Sequence, residues 1–435
     1  MIDESYVRYD VHKSDTPVSN KRGLSSARIP SILSTHSITT RPNGVGLPLA
    51  FFNTVKSFIG SGLLGLPYGF LTGGWAMALI SFPLVCVIET YGMMNMISCK
   101  KVLPRGSGDT FADLGLVAFG NFGYWLVQII LILFQGGCCC SYILFISQNL
   151  TILIPQIPQE LWVLVCIVIL MLLSFVRTLK ATGVFSLTAT FSLLIGVVFV
   201  VIGVVLSGGK RDDLQAFNLK SFPVFFGIVI FLFEGAGMVI PLQSSMKQPK
   251  HFSILLVVVV SMVCVIYSGF GFACYALHGK DTPEMITAVI SPQYQWMRVL
   301  VLVFLIYAIT MTYHLLAFPI YEAVDTLPFL KRRDKGSFSY WILSSLCRLG
   351  VILITAIPSL TPLQKHFPQL IGLIGGTCGL ALAFFLPAIL HIKLSWKTSG
   401  LLRRICDIGL IVIGVPSSLL VTIFTVIDLV HHIKS

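Results

Sequence analysis

The feature that most limits how this chain can fold is a succession of long apolar runs. Each is long enough to cross about 30 Å of hydrocarbon, which takes about 20 helical residues. With 55% hydrophobic and only 11% charged residues, the chain has too little polar surface to cover a water-soluble core. We predict an all-α polytopic membrane protein rather than a β-barrel, which would show short alternating segments. The eleven predicted spans are 48–70, 74–98, 122–148, 160–178, 183–207, 222–243, 253–277, 297–320, 338–358, 367–391 and 407–430.

Lysine and arginine are distributed unevenly between the two ends of these spans. About threefold more of them fall on the side of the amino terminus, which the positive-inside rule makes cytosolic. The carboxyl terminus is then external or lumenal. The net charge of +12 comes mostly from this asymmetry, so we predict a lipid bilayer and no nucleic acid as partner. Residues 1–46 are polar and rich in Ser and Thr, which predicts a flexible cytosolic tail.

Two of the predicted spans are interrupted by glycine and proline. The first contains Gly60, Gly62 and Gly65 ahead of Pro67, and the sixth reads FLFEGAGMVIP from Phe231. Both residue types disfavour an unbroken helix, and loosened backbone is tolerated in a bilayer only where protein buries it or it lines a cavity. Paired breaks indicate a transporter's binding site near the middle of the membrane, although small residues in spans are also typical of close helix packing.

The order of the spans predicts an internal symmetry. Five spans that start with an inside end are followed by five that start with an outside end. Two five-helix blocks of the same fold would then be related by inverted topology. We assign residues 47–207 to the first block and 208–392 to the second. Residues 393–435 form a linker, an eleventh helix and the external or lumenal carboxyl terminus.

Several stretches of the sequence carry a resemblance to a known family. They include KSFIGSGLLGLPYGF in the first span, FQGGCCCSYILF in the third, FFGIVIFLFEGAGMVIPLQSSMKQPKHF in the sixth and LIGLIGGTCGLALAFFLPAILHIK in the tenth. The chain resembles the amino acid/auxin permease family, nearest to its proton-coupled and vacuolar amino acid transporter branch. The resemblance implies a LeuT-like fold of the APC superfamily, with a 5+5 inverted repeat plus an eleventh helix. It also implies that amino acids are moved by alternating access.

The same resemblance implies a substrate site at the two breaks. Backbone amides from Ile59 to Gly62 would point at an α-carboxylate, with the Ser61 hydroxyl beside them. Carbonyl groups in the sixth span would receive the amino group. Tyr142 matches a tyrosine of the family that could close over the bound carboxylate. The predicted substrate-binding residues are Ile59, Gly60, Ser61, Gly62, Tyr142, Phe231, Phe233 and Glu234.

Glu234 is the first candidate for proton coupling, because a carboxyl group at membrane depth is costly and functional by default. Its alternative role is structural, as a hydrogen-bond partner of the broken backbone or of Lys56. His314 in the eighth span is the second candidate, since imidazole titrates near neutral pH. Animal proton-coupled relatives carry a histidine near the start of the first span. This chain has Asn53 there, so that proton route is absent.

Sodium coupling would need a cluster of oxygens, part of which Ser61 with Thr310 or Thr312 could supply. Three further charged residues also lie within apolar spans, nearer the inner interface. There, snorkelling or pairing explains them, and we do not predict them as substrate ligands. They are Lys56, Glu89 and Arg348.

The remaining classes of protein find little support in the sequence. All eleven cysteines lie within or at the ends of spans and none forms a CxxC pair, so neither disulfides nor a metal site are indicated. No HExxH or GxSxG motif occurs, so we predict no enzyme and no cofactor. We predict a secondary active amino acid transporter driven by protons rather than sodium. The alternatives are a sodium-coupled or facilitative carrier and an amino-acid-sensing receptor-like protein. The membrane would be vacuolar, lysosomal or plasma membrane.

Overall fold

Helices make up nearly all of the described structure. The computed structural model describes residues 44–102, 110–177, 179–209, 213–290, 294–334 and 336–434, and only the backbone of 179–186, 362 and 431–434. The predicted tail therefore lies outside the described residues up to position 43. Within them, the β-structure consists of one isolated parallel bridge between Val45 and Met246.

Fifteen α-helices follow one another along the described chain. They are α1 Leu47–Phe58, α2 Gly62–Gly73, α3 Trp75–Val102, α4 Phe111–Leu153, α5 Gln159–Ser174, α6 Leu179–Ser207, α7 Phe222–Phe231, α8 Val239–Ser245, α9 Phe252–His278, α10 Gln295–Asp325, α11 Pro328–Lys331, α12 Phe338–Ala356, α13 Phe367–Ile374, α14 Leu386–Ser395 and α15 Leu401–Lys434. A 3-10 turn, Glu234–Met238, joins α7 to α8. Two π-helical turns, Gly375–Gly379 and Ala381–Phe385, join α13 to α14.

These helices provide the membrane spans that the sequence predicts. Among the described residues, nine helical stretches are long and apolar enough to cross a membrane, and the bent pair α1 and α2 makes a tenth. The fourth predicted span corresponds to α5, a shorter apolar helix. Large apolar side chains such as Ile80, Leu172 and Leu402 are exposed on the outside of the bundle, where only lipid can cover them. The protein is a multi-pass integral membrane protein.

The two predicted breaks are present, and they lie against each other. Helices α1 and α2 are bent by 48° across Ile59–Ser61. The sixth span breaks at the 3-10 turn, where Gly235 lies so close to α1 that a Cβ there would be 2.4 Å from the Ser57 carbonyl oxygen. A glycine is therefore required at position 235 for the two broken spans to meet.

One boundary differs clearly from the sequence prediction. The third span was predicted to start at 122, but α4 begins at Phe111, where Thr110 and Asp113 form a reciprocal N-terminal cap. The backbone then turns sharply at Gly120, whose φ of 64° is open mainly to glycine. Residues 111–119 thus form a short helical segment before the apolar run. Hydropathy did not predict this segment, because it is not apolar throughout.

Two networks of buried polar groups tie the spans together. Arg348 in α12 donates to the Ser174 carbonyl in α5 at 2.7 Å and pairs with Asp325 at 3.3 Å, which confirms the pairing expected for it. Asp407 in α15 pairs with His391 in α14 at 2.6 Å, and both residues are 1% exposed. The side chains of Tyr91 and Asn95 in α3 also donate to Asp407, each at 2.8 Å.

Glu284 lies in the connection between α9 and α10, outside the membrane-spanning segments. Burial and then repulsion from the Asp428 carboxylate raise the pKa of Glu284 from 4.5 to about 7, although a hydrogen bond from the Phe367 backbone opposes the shift. Folding of this connection therefore favours the protonated form of Glu284.

We expect this connection to lose stability as pH rises. The unfolded segment gives up the Glu284 proton near pH 4.5 and the folded one near pH 7, so stability falls between these values and levels off above. Hydrogen exchange of residues 279–290, corrected for the intrinsic rate, should show this slope in the natural protein. It should be flat in Glu284→Gln and retained in Glu160→Gln, whose side chain is exposed. Equal slopes in all three proteins would contradict the assignment.

Candidate functional site

The centre of the site is a contact between three residues from three different spans. Glu234 is 2% exposed, and its Oε1 accepts a hydrogen bond of 2.6 Å from the Tyr142 hydroxyl in α4. Gly60 lies so close that a Cβ there would be 1.7 Å from the same Oε1 and 2.4 Å from the Tyr142 oxygen. The absence of a side chain at Gly60 thus allows the carboxyl group to enter the break of the first span.

The second oxygen of Glu234 is free among the described residues. Its Oε2 is buried and has no hydrogen-bond partner there. The Cys138 thiol, one turn from Tyr142, is within hydrogen-bonding reach of the carboxyl group. Since a buried carboxyl oxygen without a partner is costly, this atom marks a position at which a proton, water or ligand group would be stabilised.

The break in the first span is held by two hydroxyl contacts. The Tyr267 hydroxyl in α9 donates to the carbonyl oxygen of Phe58 at 2.6 Å, which is one of the acceptors that the end of α1 leaves open. The hydroxyl oxygens of Ser61 and Ser141 lie 3.3 Å apart. The amides of Gly60 and Ser61 fall between the hydrogen-bond ladders of α1 and α2, because those ladders end at Ile59 and resume at Leu63.

Aromatic rings enclose this break on the side of α3. Phe233 lies 6.2 Å from Phe58 and 6.5 Å from Phe82 between ring centroids, and Phe82 lies 6.3 Å from Tyr267. The ring of Phe231 instead packs on the first span, 2.9 Å from where a Cβ of Gly62 would be. The surroundings of Glu234 are therefore apolar and aromatic, which strengthens each polar contact within them.

One predicted ligand group already has a partner in this conformation. The carbonyl oxygen of Phe233 accepts from the Ala236 amide at 2.9 Å within the 3-10 turn. It could receive an amino group only if that turn loosened. Gln135, which is not among the site residues predicted from the sequence, is better placed to bind a ligand. It is fully buried, both polar atoms of its amide lack partners among the described residues, and its Nε2 faces Gly237.

The other candidates for ion coupling lie elsewhere. The centroid of the His314 ring lies 6.2 Å from that of Tyr321, and the Arg348 guanidinium lies over the same Tyr321 ring at 4.9 Å. Thr310 donates to its own helix and lines an apolar groove between α4, α5 and α10. Thr312 also donates to its own helix, at 2.7 Å. The Ser61 hydroxyl contacts Ser141, so the described residues do not assemble the oxygen cluster considered for sodium.

Removing the Tyr267 hydroxyl should weaken the site. Tyr267→Phe leaves the buried Phe58 carbonyl without its partner, at a cost of about 1–3 kcal/mol. We expect a lower unfolding temperature and about tenfold weaker uptake, measured on purified protein and in proteoliposomes. Tyr307→Phe is the matched control, because that hydroxyl bonds Thr188 at an exposed position. Equal effects of the two substitutions would show that the contact with Phe58 is unimportant.

Comparison with known proteins places this site in a family. The model of the family described as transmembrane amino acid transporter protein matches residues 45–427. The chain belongs to this transporter family. Its members are carriers, so the protein is not an enzyme. The match covers both broken spans and extends into α15, the eleventh span.

Curated relatives are similar to this member of the transporter family over most of its length. Amino acid transporter AVT3B of Arabidopsis thaliana is 29% identical over 86% of this chain and 92% of its own. Vacuolar amino acid transporter 3 of Saccharomyces cerevisiae is 27% identical over 83% of this chain and 54% of its own. The proton-coupled amino acid transporter-like protein pathetic of Drosophila melanogaster is 25% identical over 84% of this chain and 83% of its own.

A solved structure confirms the fold. A Na+-coupled sialic acid symporter in a substrate-bound, outward-open state covers 87% of this chain, with a TM-score of 0.56 and 12% identity. At that identity the likeness concerns the fold alone. It confirms the LeuT-like fold that the sequence resemblance implies for this transporter family member.

Proposed function

We propose that this protein is a secondary active transporter that moves an amino acid together with a proton by alternating access. The observation that carries the proposal is the position of Glu234. Its carboxyl group is buried where the two broken spans meet, with one oxygen bound by Tyr142 and the other without a partner among the described residues. The family name and its amino acid transporter relatives support the amino acid as substrate.

The geometry suggests how substrate and proton share the site. The amides of Gly60 and Ser61 lie between two helical ladders and can receive an α-carboxylate, at the positive end of the α2 dipole. The Gln135 amide and the carbonyls of the loosened 3-10 turn can receive the amino group. Ionising Glu234 in these apolar surroundings would cost several kcal/mol, so it exchanges its proton when the site opens to water.

The proton is preferred over sodium for a structural reason. A sodium ion needs several oxygens around it, but Ser61 contacts Ser141 and Thr310 lines the groove between α4, α5 and α10, so the described residues do not bring these hydroxyls together. A proton needs only one group that can be neutral or charged, and Glu234 is such a group. His314 remains the second candidate for this role, although its described contacts are with other residues than Glu234. The relative named as proton-coupled agrees with this preference.

We further propose the membrane and the orientation. Relatives named vacuolar favour the membrane of a vacuole or lysosome over the plasma membrane. The excess of lysine and arginine on the side of the amino terminus supports a cytosolic position for that terminus. We also propose two five-helix blocks, 47–207 and 208–392, because each begins with a broken span.

Flux measurements in proteoliposomes test this function. A pH gradient and a sodium gradient are imposed separately, with labelled alanine, leucine, glutamate and arginine as probes of four substrate classes. We expect accumulation of at least one of them with the pH gradient alone. Accumulation with the sodium gradient alone would contradict proton coupling. Flux that ignores both gradients would identify a facilitative carrier, and binding without flux a receptor-like sensor.

A further inference from the structure

Glu89 in α3 is a buried carboxyl group for which the transport cycle described above has no role. It is 0% exposed, and neither of its oxygens has a hydrogen-bond partner among the described residues. The sequence predicts that snorkelling or pairing accounts for it, and the structure contradicts both expectations. The reason is that Glu89 occupies the face of α3 that points into the bundle, which hydropathy alone does not reveal.

The partners of other buried charges make Glu89 exceptional. Asp407 is paired with His391, and Arg348 with Asp325. A buried carboxylate with neither counter-charge nor hydrogen bond would cost several kcal/mol. Glu89 is therefore stable in this conformation only with a proton on it.

The position of Glu89 is between the substrate site and the end of α3 that carries the basic residues. Phe82, two turns earlier on α3, touches the rings of Phe233 and Tyr267 at the site. Two helical turns place Glu89 about 10 Å further along the axis. Beyond it, Lys100 donates to Ser244 at the end of α8. This helix therefore runs beside the second half of the broken sixth span, and Glu89 lies part-way along it.

The groups around Glu89 are nearly all uncharged. The titratable groups nearest to it along α3 are Tyr91, which bonds Asp407, and Cys86, whose thiol contacts Cys264 of α9. One turn further, Gly92 lies against the Ala383 carbonyl of the tenth span. Among the described residues, the buried charged groups towards this side of the bundle include Lys56 in α1, Arg348 paired with Asp325, and the Asp407–His391 pair.

We propose that Glu89 is a second proton-binding residue, which accepts the transported proton after Glu234 and releases it on the side of the membrane where Lys100 lies. This inference rests on the proposed proton coupling. The proton leaves Glu234 as that group ionises, crosses through water that enters when α1 and α8 separate, and neutralises an ionised Glu89. While water is excluded from this half of the bundle, Glu89 must stay protonated. Its proton can leave only after water has entered. A buried carboxyl group of this kind prevents the proton from leaking while the site is closed.

Three variants distinguish this role from a structural one. Glu89→Gln keeps the shape and removes the titratable proton, and Glu89→Asp keeps a carboxyl group. Glu160→Gln, at an exposed position, is the matched control. Size-exclusion profiles and unfolding temperatures first establish that all three fold. In proteoliposomes we then measure exchange of labelled amino acid at equal pH, accumulation driven by a pH gradient, and proton uptake with a pH-sensitive dye.

We expect Glu89→Gln to retain exchange and to lose gradient-driven accumulation and proton uptake by at least about tenfold, which corresponds to 1.4 kcal/mol. Glu89→Asp should recover part of both, and Glu160→Gln should behave like the natural protein. If Glu89→Gln accumulates substrate as well as Glu160→Gln does, Glu89 is not on the proton route.

Infrared spectroscopy supplies a readout that needs no transport. The natural protein should show the carbonyl stretch of a protonated carboxylic acid that disappears at high pH. Part of that band should be missing from Glu89→Gln and present in Glu234→Gln. If the natural protein moves amino acids without protons, the proposed proton coupling is wrong. The infrared band still shows whether Glu89 binds and releases a proton. A Glu89 band that is absent, or that persists at every pH, overturns the inference.

Discussion

Glu234→Gln should abolish accumulation driven by a pH gradient while the protein remains folded and inserted. The amide has nearly the same shape as the carboxyl group and can still accept the 2.6 Å hydrogen bond from Tyr142. It cannot exchange a proton between pH 4 and pH 9, so the cycle loses the step in which the gradient performs work. A gradient of one pH unit supplies about 1.4 kcal/mol per proton, and without that coupling the accumulation ratio should fall to about one.

The comparison that decides the matter is between accumulation and exchange. Exchange of substrate at equal pH requires no net movement of protons, so Glu234→Gln should retain part of it. Glu160→Gln should accumulate substrate normally. Full pH-driven accumulation by Glu234→Gln would show that the carboxyl group is structural and that protons travel by another route.

Gly60→Ala should strongly reduce uptake, because the added methyl group would need the space that the Glu234 carboxyl group occupies. The new Cβ would lie 1.7 Å from Oε1 of Glu234 and 2.4 Å from the Tyr142 oxygen, distances that no real contact allows. Either the carboxyl group leaves the break or α1 and α2 move apart. Overpacking of this kind costs about 1–3 kcal/mol, and we expect uptake to fall by about hundredfold when that cost is paid at the binding site.

Gly136→Ala is the matched control for this substitution. Gly136 is also helical and also part of the site region, but a Cβ there would meet no heavy atom within 4 Å. Uptake by Gly136→Ala should therefore stay within about twofold of normal, since alanine is also the better helix former. Normal uptake by Gly60→Ala would mean that the carboxyl group does not need to enter the break.

The fold could be predicted from the sequence because its signals are local. Runs of about 20 apolar residues mark the spans, and the residues around Gly60 and Gly235 mark the breaks. Both kinds of signal depend on neighbours along the chain. The sequence also predicted that Glu234 and Tyr142 belong to one site, because the family resemblance points to both positions.

The contacts that complete the site depend on residues far apart in sequence, and no local pattern reveals them. Tyr267 meets the carbonyl of Phe58 across 209 positions, and nothing around Tyr267 in the sequence distinguishes it from a packed tyrosine. The direction in which a side chain points from its helix was the second property that the sequence did not reveal. Thr310 and His314 occupy a span near the site, but packing turns them toward other neighbours. The explanation of Glu89 by snorkelling or pairing was wrong for the same reason, because the sequence does not show that its side chain points into the bundle.

The network around Asp407 bears on how short this chain can be. From α15, the Asp407 carboxylate pairs with His391 and accepts hydrogen bonds from Tyr91 and Asn95 at the same time. A protein cut off before position 400 would leave an imidazole, a phenol and an amide facing hydrocarbon with nothing to bond. The eleventh helix is thus no optional extension of a ten-helix carrier, because it supplies the partner for buried polar groups of two other spans.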